Sequence, residues 1–79
     1  MPHYYFNLRR NGELIADMEG CECENIEAMK REAVLSAREL SAQSLREGDD
    51  ADGRAFEVTD ESGEIVLRMT FADVLSGKV

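Results

Sequence analysis

Cys21-x-Cys23 places two thiols on the same side of a short extended segment, because side chains two apart in a strand share a face. Thiols at that spacing are metal ligands or redox partners. A structural zinc site needs four ligands within tetrahedral reach, and only His3 could join the two sulfurs. That set is too small, so no metal ligands are assigned. A disulfide between residues two apart in an extended strand is strained, and both cysteines are expected to be reduced.

Asp50-x-Asp52-Gly53 resembles part of a calcium loop. In that register Gly48 takes the first ligand position and Thr59 the last, where a bidentate Glu belongs, so the loop is not read as a calcium site. His3 would need an orienting acid and an adjacent nucleophile for acyl-transfer chemistry, and nothing in the chain places a Ser beside it. The carboxylates are scattered through turns, and no Gly-rich phosphate loop is present. No catalytic, cofactor-binding or metal-binding residue is assigned, no cofactor is expected, and the chain is not read as an enzyme.

The surface with most chemical interest is the outer face of a sheet. Tyr5, Asn7, Arg9, Val66 and Arg68 are expected there as an interaction surface, with Leu14 and Thr59 beside them. An aromatic ring between guanidinium groups can stack a nucleobase. Against that stands the charge. The net charge is −8, residues 11–27 carry six acids and no base, and residues 49–64 carry seven acids and one Arg. Such segments repel a phosphate backbone, so nucleic acid is disfavoured as a partner.

Two hairpins and a helix must position these residues. Tyr4, Phe6 and Leu8 alternate with His3, Tyr5, Asn7 and Arg9, the pattern of a half-buried strand. Asn11-Gly12 follows, the sequence that a type I′ turn favours. With those two residues as the loop, Arg10 opposes Glu13 and Leu8 opposes Ile15, which puts Leu8 and Ile15 on the inner face. Asp17-Met18-Glu19-Gly20 reads as a second turn held by an Asx side chain. Residues 55–59 and 65–69 alternate again around Asp60-Glu61-Ser62-Gly63, pairing Thr59 with Glu64, Val58 with Ile65 and Phe56 with Leu67. On that register Ile65, Leu67 and Met69 point inward.

Between the hairpins, Ile26, Met29, Ala33, Ala37, Leu40 and Ser44 recur at steps of three and four, with Val34 and Leu45 widening the stripe. The spacing predicts a helix over 25–47, capped by Asn25 and closed by Gly48. Ala28, Leu35 and Ala42 form a seven-residue seam assigned to its far side. Thr70-Phe71-Ala72-Asp73 has the form of a capping box and opens a short helix over 71–76.

The 79 residues therefore read as a single α+β domain, 1–79, of order β-β-α-β-β(-α). Hairpins over 3–17 and 55–70 form an antiparallel four-stranded sheet with the long helix on one face. An apolar share of 43% suits a globular protein. No apolar run is long enough to span a membrane, and the start lacks the layout of a signal peptide, so the chain is expected in the cytoplasm.

Met1-Pro2-His3-Tyr4-Tyr5-Phe6, Asp17-Met18-Glu19-Gly20, Ala37-Arg38-Glu39-Leu40, Phe56-Glu57-Val58 with Asp60 and Gly63, and Phe71-Ala72-Asp73 resemble a family. It is a group of small uncharacterised bacterial proteins common in rhizobia and related alphaproteobacteria, filed as a domain of unknown function. The resemblance covers nearly the whole chain and implies a fold and a lineage but no activity. Cys21 and Cys23 lie outside its pattern. The resulting expectation is a small non-catalytic interaction or regulatory module, either pairing with itself as a homodimer or binding another protein. A nucleic-acid-binding sheet and a small-molecule or metal sensor are the alternatives.

Overall fold

Asn11 and Gly12 both take positive φ, 51° and 82°. This is the type I′ geometry, whose twist matches that of the strands it joins. The computed structural model, which describes residues 1–46 and 53–78, builds its first hairpin on that turn. Strand β1 (His3–Arg10) pairs with β2 (Glu13–Ile15) in the expected register, Arg10 with Glu13 and Leu8 with Ile15. A two-residue strand β3 (Cys21–Glu22) then returns to the same edge of β1, pairing with His3 and Tyr4.

The long helix α1 (Ile26–Arg46) follows, with β4 (Arg54–Thr59), β5 (Ile65–Thr70) and the short α2 (Phe71–Leu75). The sheet runs β2-β1-β4-β5, all antiparallel, with β3 attached to β1 as a fifth strand. The expected α+β order is present, with one strand more than the four foreseen.

Asn25 caps α1 by accepting the Ala28 N–H on its side-chain oxygen at 2.8 Å. The face that α1 buries is the row Met29, Ala33, Ala37 and Ser41, with Leu40 and Val34 at its margins. Small residues at three of those four positions let helix and sheet approach closely. Ile26, expected on this face, is exposed instead, and Ser41 takes a buried place in the row. At about 100° per residue Ile26 falls between Ala33 and Ala37 in angle, so its exposure goes with its place as the first residue of α1 and not with its face. The side chains of Ser44 and Leu45, the Gly48 cap and the Asp50-x-Asp52 loop lie outside the described residues.

The second hairpin departs from the expected register by two residues. Asp60 N–H donates to the Glu64 carbonyl and Gly63 N–H to the Asp60 carbonyl, each at 3.0 Å. That closes a three-residue loop with Gly63 at φ 88°. Thr59 therefore opposes Ile65, not Glu64. Val58 opposes Leu67 and Phe56 opposes Met69, because the register slips between Val58 and Thr59. Val66 is the extra residue of that bulge. A bulge changes which face later residues occupy. Ile65 stands across from Thr59 on the outer face and is 56% exposed, and Val66 packs against the buried cluster.

Core packing follows from this parity. Phe56, Val58 and Met69 of the sheet meet Met29, Ala33 and Ala37 of the helix, with Tyr4, Cys23, Phe71 and Val74. Phe56 contacts the Phe71 ring edge-on at 5.1 Å between centroids. Burying a side chain such as Phe71 or Val58 stabilises by about 1.5–3 kcal/mol. Ile15 keeps the inner-face register of Leu8 but is 45% exposed, since β2 is a three-residue edge strand. Thr70 caps α2 by accepting the Asp73 N–H, as its sequence predicts. Paired bonds from Gly77 N–H to the Val74 carbonyl and Lys78 N–H to the Asp73 carbonyl end it.

Candidate functional site

On the outer sheet face, cross-strand register aligns Tyr5 with Thr59, Asn7 with Glu57, and Glu57 with Arg68. Four of the five expected surface residues, Tyr5, Asn7, Arg9 and Arg68, are brought together there. Val66 is not among them, since the bulge turns it inward. Between the two arginines lies a residue that alternation alone marks as solvent-facing, Glu57. It is 6% exposed. Arg9 Nε and Nη2 donate to its two carboxylate oxygens at 3.3 and 3.2 Å, and Arg68 Nη2 approaches at 3.3 Å. The hydrogen bond from Arg9 is the main reason its carboxyl lies below the usual value; partial burial opposes the shift and the charges of Arg9 and Arg68 reinforce it.

Asn7 and Thr59 of this face are also engaged. Asn7 Nδ2 donates to the Glu57 carbonyl at 3.0 Å and to Thr59 Oγ1 at 3.2 Å, and Asn7 Oδ1 accepts the Asp17 N–H at 3.0 Å. Tyr5 leans against the His3 ring, 5.1 Å between centroids. Arg9 and Arg68 are thus turned onto a carboxylate, which blunts their use on a phosphate.

Asp17 organises the turn beside this face. Its Oδ2 accepts the Phe6 N–H at 3.0 Å, and its Oδ1 accepts the N–H groups of Glu19 and Gly20 at 3.3 and 3.1 Å. Burial disfavours its charge, but those three backbone bonds and nearby His3 outweigh that and hold the carboxyl below its ordinary value. The turn delivers the Glu19 carbonyl to His3 Nε2 at 2.8 Å, which requires the proton on that nitrogen. Gly20 has φ 73°, and a Cβ there would meet His3 Nε2 and come within 2.8 Å of the Tyr4 carbonyl oxygen. Only glycine fits.

Beyond that turn, Cys21 and Cys23 are both free thiols with sulfurs 4.0 Å apart. Cys21 is half-buried and Cys23 buried. Burial pushes the Cys23 thiol up, and the Cys21 thiol and Glu32 add to the shift. Among the described residues, no three His, Cys, Asp or Glu side chains cluster as a metal site.

Two concavities lie elsewhere, one between α1 and β5 and one along α1 beside it. One, of 250 Å³, is lined by Lys30, Val34, Leu67 and Met69. A second, of 410 Å³, shares Lys30 and Val34 and continues along the helix over Arg31, Leu35 and Arg38. Together they form a groove with an apolar floor and a rim of three cations. Beside it runs β5, bonded to β4 on one side and last in the sheet order on the other. The sequence contains a signal for this groove. Lys30, Val34 and Arg38 step by four, with Arg31 and Leu35 alongside, so two apolar side chains sit among three cations on one flank of the helix. The seam of Ala28, Leu35 and Ala42 does not hold together. Ala28 packs against the core, whereas Leu35 is 56% exposed and lines the groove.

Among the described residues no helix is long and apolar enough to cross a membrane. Residues 3–72 match the family described as Domain of unknown function (DUF6894), and the chain belongs to that family. No curated protein matches the chain. No solved structure matches it either.

Proposed function

We propose that this member of the family is a non-catalytic protein-binding module, and that the groove between α1 and β5 is where its partner docks. The observation that carries this reading is the grouping of Lys30, Arg31 and Arg38 around the apolar floor of Val34, Leu35 and Leu67. Three of the chain's nine basic side chains gather there, in a protein of net charge −8. An occupant that satisfies both floor and rim is a peptide segment with apolar side chains flanked by carboxylates. Its apolar groups gain about 25 cal/mol for each Å² they remove from water. Its carboxylates meet the rim and speed encounter.

The outer edge of β5, which no strand pairs among the described residues, supports an extended conformation for that segment, since a strand laid against it gains main-chain hydrogen bonds. Self-pairing through the same face is the weaker form of this reading. A two-fold contact sets a patch against its own copy, so the three cations would face three more. The reading also places the protein in the cytoplasm, where Cys21 and Cys23 stay reduced.

A labelled peptide of alternating leucine and glutamate, followed by fluorescence anisotropy, tests this reading. It is expected to bind, to bind more weakly as salt rises, and to lose binding to a Lys30→Glu/Arg38→Glu variant that melts like the wild type. The same peptide with lysine in place of glutamate is expected not to bind. Equal binding of both peptides, or binding unchanged by the double substitution, sinks the proposal. A sedimentation experiment showing a tight homodimer that buries Leu35 would transfer the groove to a second copy of the chain.

A further inference from the structure

The two cysteines offer a separate chemistry that the docking groove does not use. Cys21 ends up beside Cys23 for reasons of backbone. β3 is tied to β1 through the pairs His3 with Glu22 and Tyr4 with Cys21. The Cys23 N–H then donates to the Pro2 carbonyl at 3.0 Å, so the extended strand continues one residue further. Residues 21 and 23 of an extended segment project to one side, and their sulfurs lie 4.0 Å apart. One thiol is half-exposed and the other is sealed within the core cluster.

We propose that Cys21 and Cys23 form a two-sulfur site for a soft monovalent cation, copper(I). Two metal–sulfur bonds of about 2.3 Å span sulfurs 4.0 Å apart at an S–metal–S angle of roughly 120°. Slight spreading of the sulfurs opens that angle toward linear. Among the described residues no third His, Cys, Asp or Glu completes the set. Two sulfurs alone fall short of the four ligands that structural zinc takes. Copper(I) prefers soft thiolates and is the first-row ion suited to so few of them. Binding forms two Cu–S bonds and releases two thiol protons to solvent, and no electron is transferred. The half-exposed Cys21 is the point of entry, and the buried Cys23 is the sulfur shielded from exchange.

The test is a copper(I) titration of the full chain under anaerobic, reducing conditions, in competition with a chromophoric copper(I) chelator. One copper per chain is expected, with a rise in melting temperature on loading. Cys21→Ser, at the more exposed position, is expected to keep the fold by circular dichroism and to lose the bound copper. Cys23→Ser is expected to lose it as well, and if that variant proves unfolded the Cys21→Ser result decides alone. Zinc(II) alone is expected to leave the melting temperature unchanged. Copper retained in full by Cys21→Ser, stabilisation by zinc equal to that by copper, or copper found only in a chain dimer bridged by one cysteine from each copy would each overturn the assignment.

Discussion

The backbone N–H of Phe6 donates to Asp17 Oδ2 at 3.0 Å, where a neighbouring strand would otherwise supply a carbonyl. β2 leaves the edge of β1 after Ile15 and β3 joins it at Cys21. Asp17 fills the gap between them. One side chain therefore ties two short strands into one sheet edge and also holds the turn that carries Gly20.

Asp17→Ala removes the acceptor for three backbone N–H groups. Hydrogen bonds to a charged acceptor contribute about 1.5–3 kcal/mol, and this one is partly in water, so the expected loss is about 2 kcal/mol. Because the folded carboxyl is held below its ordinary value of 3.8, its stabilisation is complete above that pH. It fades as pH falls through the lowered value. Melting curves from pH 7 downward should show Asp17→Asn losing less stability than the wild type below about pH 4. Parallel curves would show that the charge of Asp17 contributes nothing.

Gly20 and Gly63 separate two costs of replacing a glycine. Both have positive φ, 73° and 88°. A Cβ at Gly63 meets nothing within 4 Å, whereas at Gly20 it meets the His3 ring and the Tyr4 carbonyl. Gly63→Ala should cost only the left-handed backbone term, roughly 1–2 kcal/mol. Gly20→Ala should cost clearly more, because the clash displaces β3 from β1. Urea midpoints of the two variants measured side by side check this, and equal losses would refute it.

These residues show where local sequence is enough and where it is not. Asn11-Gly12 names its own turn type, and the turn type sets the register, so the first hairpin is legible residue by residue. The second is not, because alternation gives the period of a strand but not its phase across a bulge. Asp60 takes Glu64 as partner and Val66 adds one more residue, and the two shifts together carry Phe56 from Leu67 to Met69. Glu57 was equally hidden. A charged residue between Phe56 and Val58 reads as exposed until Arg9 and Arg68, distant in sequence, are known to cover it. The groove rim was legible in the i, i+4 spacing of Lys30 and Val34, but its floor required knowing that β5 lies beneath.

Ser41 takes a place in the buried helix row that an apolar residue would fill without cost. Its hydroxyl has no hydrogen-bond partner among the described residues. Ser41→Ala removes an unpaired polar group and improves helix propensity, so a gain of about 1–2 kcal/mol is expected. For a domain of this size that corresponds to a rise of roughly 4–8 °C per kcal/mol. A lower melting temperature would mean that the hydroxyl finds a partner in solution.

Glu57→Gln tests the centre of the outer face. The substitution keeps the shape and removes the charge that Arg9 and Arg68 share, leaving two guanidinium groups, on the strands either side of β4, without their counter-ion. A lower melting temperature at pH 7 is expected, with the deficit shrinking as salt screens the two cations from each other. The sign of the pH dependence follows from the Arg9 hydrogen bond that lowers the carboxyl. Stabilisation by Glu57 is complete above its ordinary value of 4.5 and is lost as pH falls through the lowered value, so variant and wild type should converge in acid. The same variant bears on the face's partner. If single-stranded RNA binds Glu57→Gln at low salt and does not bind the wild type, Glu57 is the group that keeps this surface from phosphates. If RNA binds both equally, the carboxylate does not govern the face, and the two arginines reach a phosphate past it.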